Sequence, residues 1–171
     1  AFFLLACSAR HDYNWQLVLA DSLMQLQPDS TLFILQNISN QELATRADSA
    51  YYALLMTQAK DQNCVLQTDD SLIRIAAYYY DAIGDIILQA KAHYYYGCVW
   101  RDKNNYPKAI VEYRKARTFA EEAKDVNLLS CIYSNVGHLY YSQELDEEAD
   151  SIYKLAEQLA VQQQDTTGMV Y

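Results

Sequence analysis

The sequence predicts an all-α fold built as a solenoid of antiparallel helix pairs, and three observations predict it. Helix breakers are scarce: 171 residues hold only 4 Gly and 2 Pro, while Ala, Leu, Gln and Glu abound. No stretch shows the strict apolar–polar alternation of a half-buried strand. The chain also resembles itself at an interval of forty residues, and self-similarity at a fixed interval marks an array or solenoid. The length suffices for one domain with a sizeable core.

The elements follow from periodicity and capping signals. "YNWQLVLADSLMQLQ" is amphipathic, and Pro28-Asp29-Ser30 opens a short helix to about Gln36. Asn40 is a candidate cap for a helix from Gln41 to Lys60, and residues Asp61 to Gln67 form a longer loop. Thr68-Asp69-Asp70 then caps "SLIRIAAYYYDAIGD", with Gly84 as its C-terminal cap. Helices follow at about 86–103, 106–124, 126–143 and 146–163. In the third of these, Leu129, Ile132, Tyr133, Val136 and Tyr140 form one apolar face.

The interval of forty joins "HYYYGCVWRDKNNYPKAIVEYRKA", residues 93–116, to "YSNVGHLYYSQELDEEADSIYKLA", residues 133–156. Gly97 falls on Gly137, Trp100 on Tyr140, Ala109 on Ala149, Tyr113 on Tyr153 and Ala116 on Ala156. Asp85, Asp125 and Asp165 share the interval, each just before a helical pattern. Gly97 and Ala109 have almost no side chain, so two helices can approach closely there. Tyr96, Trp100 and Tyr113 are expected to fill the space around that contact, with Tyr95 packed between helices. Pro107 suits the first turn of the second helix, where its missing N–H costs nothing.

The pattern His93-x2-Tyr96-Gly97-x2-Trp100, then Ala109-x3-Tyr113-x2-Ala116, resembles the tetratricopeptide repeat, and Tyr133 to Ala156 supplies a second copy in the same register. It departs from the family in its period, forty rather than thirty-four, and in Asp146, which stands where an aromatic is usual. "ADSAYYALLMTQA" resembles the first helix of a degenerate copy, with Tyr51 aligned to His93 and Leu55 to Gly97. The resemblance implies a right-handed solenoid over residues 12–171: degenerate repeats in 12–84, clear repeats in 85–124 and 125–164, and the start of a further repeat in 165–171.

The resemblance also implies a concave face lined by first-helix side chains. Carried over by register, these are Lys91, Tyr94, Cys98, Arg101 and Asp102 from one repeat, and Cys131, Ser134, His138, Tyr141 and Ser142 from the next. For Tyr94, packing and groove readings both stand. Family members that grip a C-terminal carboxylate carry lysine, arginine and asparagine at such places. Here Tyr94, Cys98, Ser134 and His138 stand instead, so the expected partner is a protein or peptide segment, or another segment of the same full-length chain, held by apolar and polar contacts.

The chain begins at Ala1, and "AFFLLACSAR" runs apolar to Cys7 before turning polar. This reads as the tail of a signal peptide over residues 1–7, and Leu4-Leu5-Ala6-Cys7 resembles the lipobox of bacterial lipoproteins. The alternative is an apolar helix start. With "ADSLMQLQPDS" and "TDDSLIRIAAYYY", the whole is similar to envelope tetratricopeptide proteins of Bacteroidetes. That implies a periplasm-facing chain anchored through lipid on Cys7, serving as the sensing or scaffolding part of a longer protein. A glycan- or small-ligand-binding outer-membrane lipoprotein is the competing reading.

The net charge of −9 and the lack of a basic stripe argue against nucleic acid as a partner. There is no glycine-rich phosphate loop, no HExxH and no nucleophile elbow, and His11, His93 and His138 are scattered. The chain therefore reads as non-enzymatic, with no cofactor and no metal. Cys64, Cys98 and Cys131 lack metal-ligand spacing. A disulfide between two of them and free thiols are both open, with Cys98 and Cys131 expected to be buried within helices.

Overall fold

The computed structural model describes the backbone of residues 12–168 and the side chains of residues 12–161. Cys7 and the apolar run before it lie outside the described residues. Eight helices follow one another: α1 (Trp15–Leu23), α2 (Pro28–Gln36), α3 (Arg46–Gln62), α4 (Ser71–Ile83), α5 (Ile86–Asp102), α6 (Tyr106–Ala123), α7 (Val126–Tyr141) and α8 (Asp146–Gly168). Each odd-numbered helix packs on the even-numbered one after it. The odd helices also stack in a row, α1 on α3, α3 on α5 and α5 on α7. Among the described residues the even helices do not touch one another, so α4, α6 and α8 stand as separate ribs over the row.

The interval of forty is written into the backbone. Cys64, Asn104 and Glu144 all adopt left-handed φ, at 55°, 56° and 61°. After each, the chain closes the same helix-terminal bond: Val65 N–H to Lys60 O at 2.9 Å, Asn105 to Trp100 at 2.9 Å and Leu145 to Tyr140 at 3.1 Å. This is the six-to-one closure of a Schellman turn, which satisfies carbonyls orphaned at a helix end. Gly84 and Lys124 provide the left-handed turns between repeats, again forty apart. Asp85 and Asp125 each accept a hydrogen bond from the backbone N–H three residues on, capping α5 and α7.

The same frame reaches back to α3 and corrects two expectations. Helix α3 begins at Arg46, not Gln41, because Thr45 and Asp48 form a reciprocal capping box that Asn40 cannot match. Thr45 lies forty residues before Asp85, so Thr57, not Leu55, takes the place of Gly97, and Ile73 that of Tyr113. Both are buried, at 1% exposure. A smaller partner thus accompanies the larger residue in the glycine place, and Leu55 belongs instead to the core shared by α1, α2 and α3. At the other end α8 runs on through Asp165 to Gly168, so no fresh helix starts at Asp165.

Gly97 shows what holds a pair together. A Cβ on Gly97 would stand 2.5 Å from Cδ1 and Cε1 of Tyr113, and one on Gly137 would stand 2.7 Å from Cε1 of Tyr153. The glycine therefore meets the tyrosine ring of the second helix, rather than Ala109. Tyr113 is fully buried, together with Ala109, Ala116 and Ala120 on the same face. Burying such a ring contributes about 1.5–3 kcal/mol. Trp100 and Tyr96 are only partly buried: they stack at 5.8 Å on the rib side, with the ammonium groups of Lys103 and Lys108 lying over the indole at 4.3 and 4.1 Å.

Candidate functional site

The strip lined by α3, α5 and α7 holds a continuous polar network centred on Arg101. Its guanidinium donates to Asp61 on α3 at 2.8 Å, to Asp102 at 2.8 and 3.1 Å, and to Asn135 on α7 at 2.7 Å. Asn135 in turn donates to the Tyr94 hydroxyl at 3.0 Å, and the backbone N–H of Gln67 donates to the other Asp102 oxygen at 3.1 Å. A shallow cavity of about 320 Å³ opens beside it, lined by Asp61, Cys64, Val65, Leu66, Arg101 and Asp102. Two carboxylates and an amide occupy four of the five N–H donors of Arg101, so the residue braces three successive odd helices.

This geometry sorts the groove residues expected from the sequence. Ser134, His138 and Tyr141 are exposed, Tyr141 by 62%. Lys91, Arg101 and Asp102 are partly buried. Tyr94 does not face an open groove: it is 8% exposed, edge-on to Tyr95 at 4.9 Å and bonded to Asn135. The stacking of α7 on α5 covers it, and burial pushes its hydroxyl well above the ordinary tyrosine range. Cys98 is likewise sealed, and burial raises its thiol to about 12, which keeps it neutral and unreactive at physiological pH. Cys64, Cys98 and Cys131 are free thiols; Cys131 is exposed on α7, not buried as its helical setting suggested.

Sequence reasoning missed Asp61 and Asn135. A signal was present for the first: Asp61 and Arg101 are opposite charges forty residues apart, hence at equivalent places on neighbouring stacked helices.

A second polar centre lies on the rib side of α5. His93, 2% exposed, sits with Nδ1 2.6 Å from Glu112 on α6 and Nε2 3.1 Å from Asp81 on α4. Lys115 adds a 3.0 Å bond to Glu112, and Phe119 stacks on the imidazole at 5.7 Å. Burial alone would raise the Glu112 carboxyl; the bonds from His93 and Lys115 outweigh it and hold Glu112 below the ordinary glutamate range. The imidazole is walled in by three helices, so this centre clips helices together and does not present a catalyst to solvent. Among the described residues no group of His, Cys, Asp or Glu side chains is placed to hold a metal ion.

No family model matches the chain, and no curated protein matches it. Its fold is similar to the crystal structure of MamA, a tetratricopeptide-type protein, at a TM-score of 0.56 and 19% identity, over 88% of this chain and 79% of that one. The likeness is one of fold: a tetratricopeptide-like helical solenoid.

Proposed function

We propose that this chain is a non-enzymatic protein-interaction module that holds a peptide or protein segment along the row of odd helices. The observation that carries the reading is the exposed run Ser134, His138 and Tyr141 on α7, which continues the strip braced by Arg101. Three exposed side chains of mixed polarity on a stiff helix suit contact with a partner segment. An exposed aromatic such as Tyr141 supplies contact area at low entropic cost. A photo-cross-linking residue at position 141, introduced in cells that make the full-length protein, tests the reading. Cross-links to a defined polypeptide are expected at 141, and none at the exposed Gln158 on α8. Equal yield at both positions, or none at 141, would contradict it.

An envelope location with a lipid on Cys7 is part of the proposal and rests on Leu4-Leu5-Ala6-Cys7 alone. Among the described residues no helix is long and apolar enough to cross a membrane. Full-length protein is expected to partition into detergent and Cys7→Ser to stay in the aqueous phase; identical partitioning would remove the anchor.

A further inference from the structure

The ribs α4, α6 and α8 do not touch, so two furrows run between them, one floored by α5 and one by α7. The frame of forty makes the two directly comparable. In the α4–α6 furrow the chain fills its own space. His93 is clipped to Asp81 and Glu112, the Tyr96 hydroxyl donates to Asp70 at 3.2 Å, and Trp100 lies under Lys103 and Lys108. In the α6–α8 furrow Glu121 keeps the acid of Asp81, and the others are replaced. Tyr133 stands for His93, Val136 for Tyr96, Tyr140 for Trp100, Ile152 for Glu112 and Ile110 for Asp70. The result is an open apolar cavity of about 170 Å³, with Tyr133, Val136 and Tyr140 on its floor and Ile110 and Ile152 on its walls. That is room for one aromatic or branched aliphatic side chain.

The rim carries charge of one sign on the α6 side. Arg114 and Arg117 line the cavity, and both are exposed. Arg114 forms no ion pair among the described residues, and Arg117 has only a 3.5 Å contact with exposed Glu121. Seven of the thirteen basic residues fall within residues 101–124, against four of the twenty-two acidic ones, so α6 and its flanks are positive in a chain of net charge −9. An anionic partner is drawn to this rib and repelled by the rest of the surface.

We propose that the α6–α8 furrow is a second docking site, on the face away from the odd-helix strip, and that it takes an acidic segment anchored by one aromatic or leucine side chain. The anchor enters the cavity between Ile110 and Ile152, and carboxylates beside it pair with Arg114 and Arg117. The partner thus supplies what the chain's own Trp100, His93 and Glu112 supply one repeat earlier.

The test uses a phage-displayed library of random dodecapeptides selected on the full chain and measured against three proteins: wild type, Arg114→Glu/Arg117→Glu, and Val136→Phe. Both arginines are exposed, so the charge reversal leaves the fold intact, which circular dichroism verifies. Enriched peptides are expected to pair an aromatic or leucine with nearby Asp or Glu. They should lose at least about tenfold in affinity for the charge-reversed protein and a similar factor for Val136→Phe, which fills the cavity. Raising salt should weaken wild-type binding and not the residual binding of the reversed form. Peptides that are basic, that bind all three proteins alike, or that fail to enrich would overturn the proposal. So would self-association abolished by the charge reversal, because a second copy would then be the occupant. Loss of peptide binding here with cross-linking at position 141 intact would sink this site alone and leave the odd-helix strip standing.

Discussion

Helix pairs α5–α6 and α7–α8 share a backbone and differ in how they are closed. Both turn through a left-handed residue at the same place, both are capped by aspartate, and both set a glycine against a tyrosine ring. Yet Tyr113 is fully buried and Tyr153 is 38% exposed, and Arg101 is bonded to Asp61, Asp102 and Asn135 where Tyr141 is exposed. The difference teaches that the repeat fixes helix spacing through small and aromatic residues. The polar side chains that seal one pair are a separate layer, and α7–α8 lacks them. Exposed surface therefore concentrates on the second pair, both on its odd-helix strip and in its rib-side furrow.

The contrast can be broken most forcefully at the two tyrosines. Tyr113→Ala is expected to cost about 3–5 kcal/mol, as for other large buried rings, and Tyr153→Ala about a third of that, read from urea unfolding. Equal losses would mean that the two pairs are closed alike. Next comes the buried clip. Glu112→Gln should cost about 1–3 kcal/mol at neutral pH, because His93 and Lys115 lose a charged partner. Glu112 is depressed in the folded state, so its contribution is present above the ordinary glutamate value of about 4.3 and is lost as pH falls through its lower folded value. Wild type and Glu112→Gln should therefore converge in stability on acidification; parallel curves would show that the pairing contributes nothing.

The smallest contrast concerns the strip. Arg101→Ala should cost about 1–2 kcal/mol, since the mostly buried Asp61 would lose its donor and Asp102 would keep only the Gln67 N–H. Tyr141→Ala should stay within about 0.5 kcal/mol, as for other exposed positions. Similar melting temperatures for the two variants would sink the assignment of Arg101 as a brace. This reverses the expectation from sequence, under which both residues simply lined a groove.

The fold was legible because its signals are local and repeated. The Gly97–Tyr113 and Gly137–Tyr153 pairs, Asp85 and Asp125 as caps, and Asn104 at its turn each sit within a single helix pair, and Gly84 marks the turn between two of them. The start of α3 was less legible, because a Thr45–Asp48 box competes with an equally plausible Asn40. Tyr94 could not be placed from periodicity, since a tyrosine one turn from a glycine reads as core or groove until the neighbouring helix is stacked on it. Asn135 closes its network through a neighbouring repeat, and a one-sequence pattern carries no such partner information. Trp100 matched the family position, but its partial burial depends on Lys103 and Lys108, which arrive from a turn and from the next helix.

The central claim is that consecutive repeats superpose side chain for side chain at an interval of forty, so that a seal present in one pair is simply missing from the next. Glu121 already occupies the place of Asp81 on the next rib. Tyr133→His combined with Ile152→Glu would therefore rebuild, between α6, α7 and α8, the arrangement that His93 makes with Asp81 and Glu112. A double-mutant cycle by urea unfolding measures this directly. Each single change should destabilise by placing a polar group in an apolar furrow without its full set of partners, and the pair should recover about 1–2 kcal/mol relative to the sum of the singles. Strictly additive losses would show that the two furrows do not share one geometry and would contradict the account.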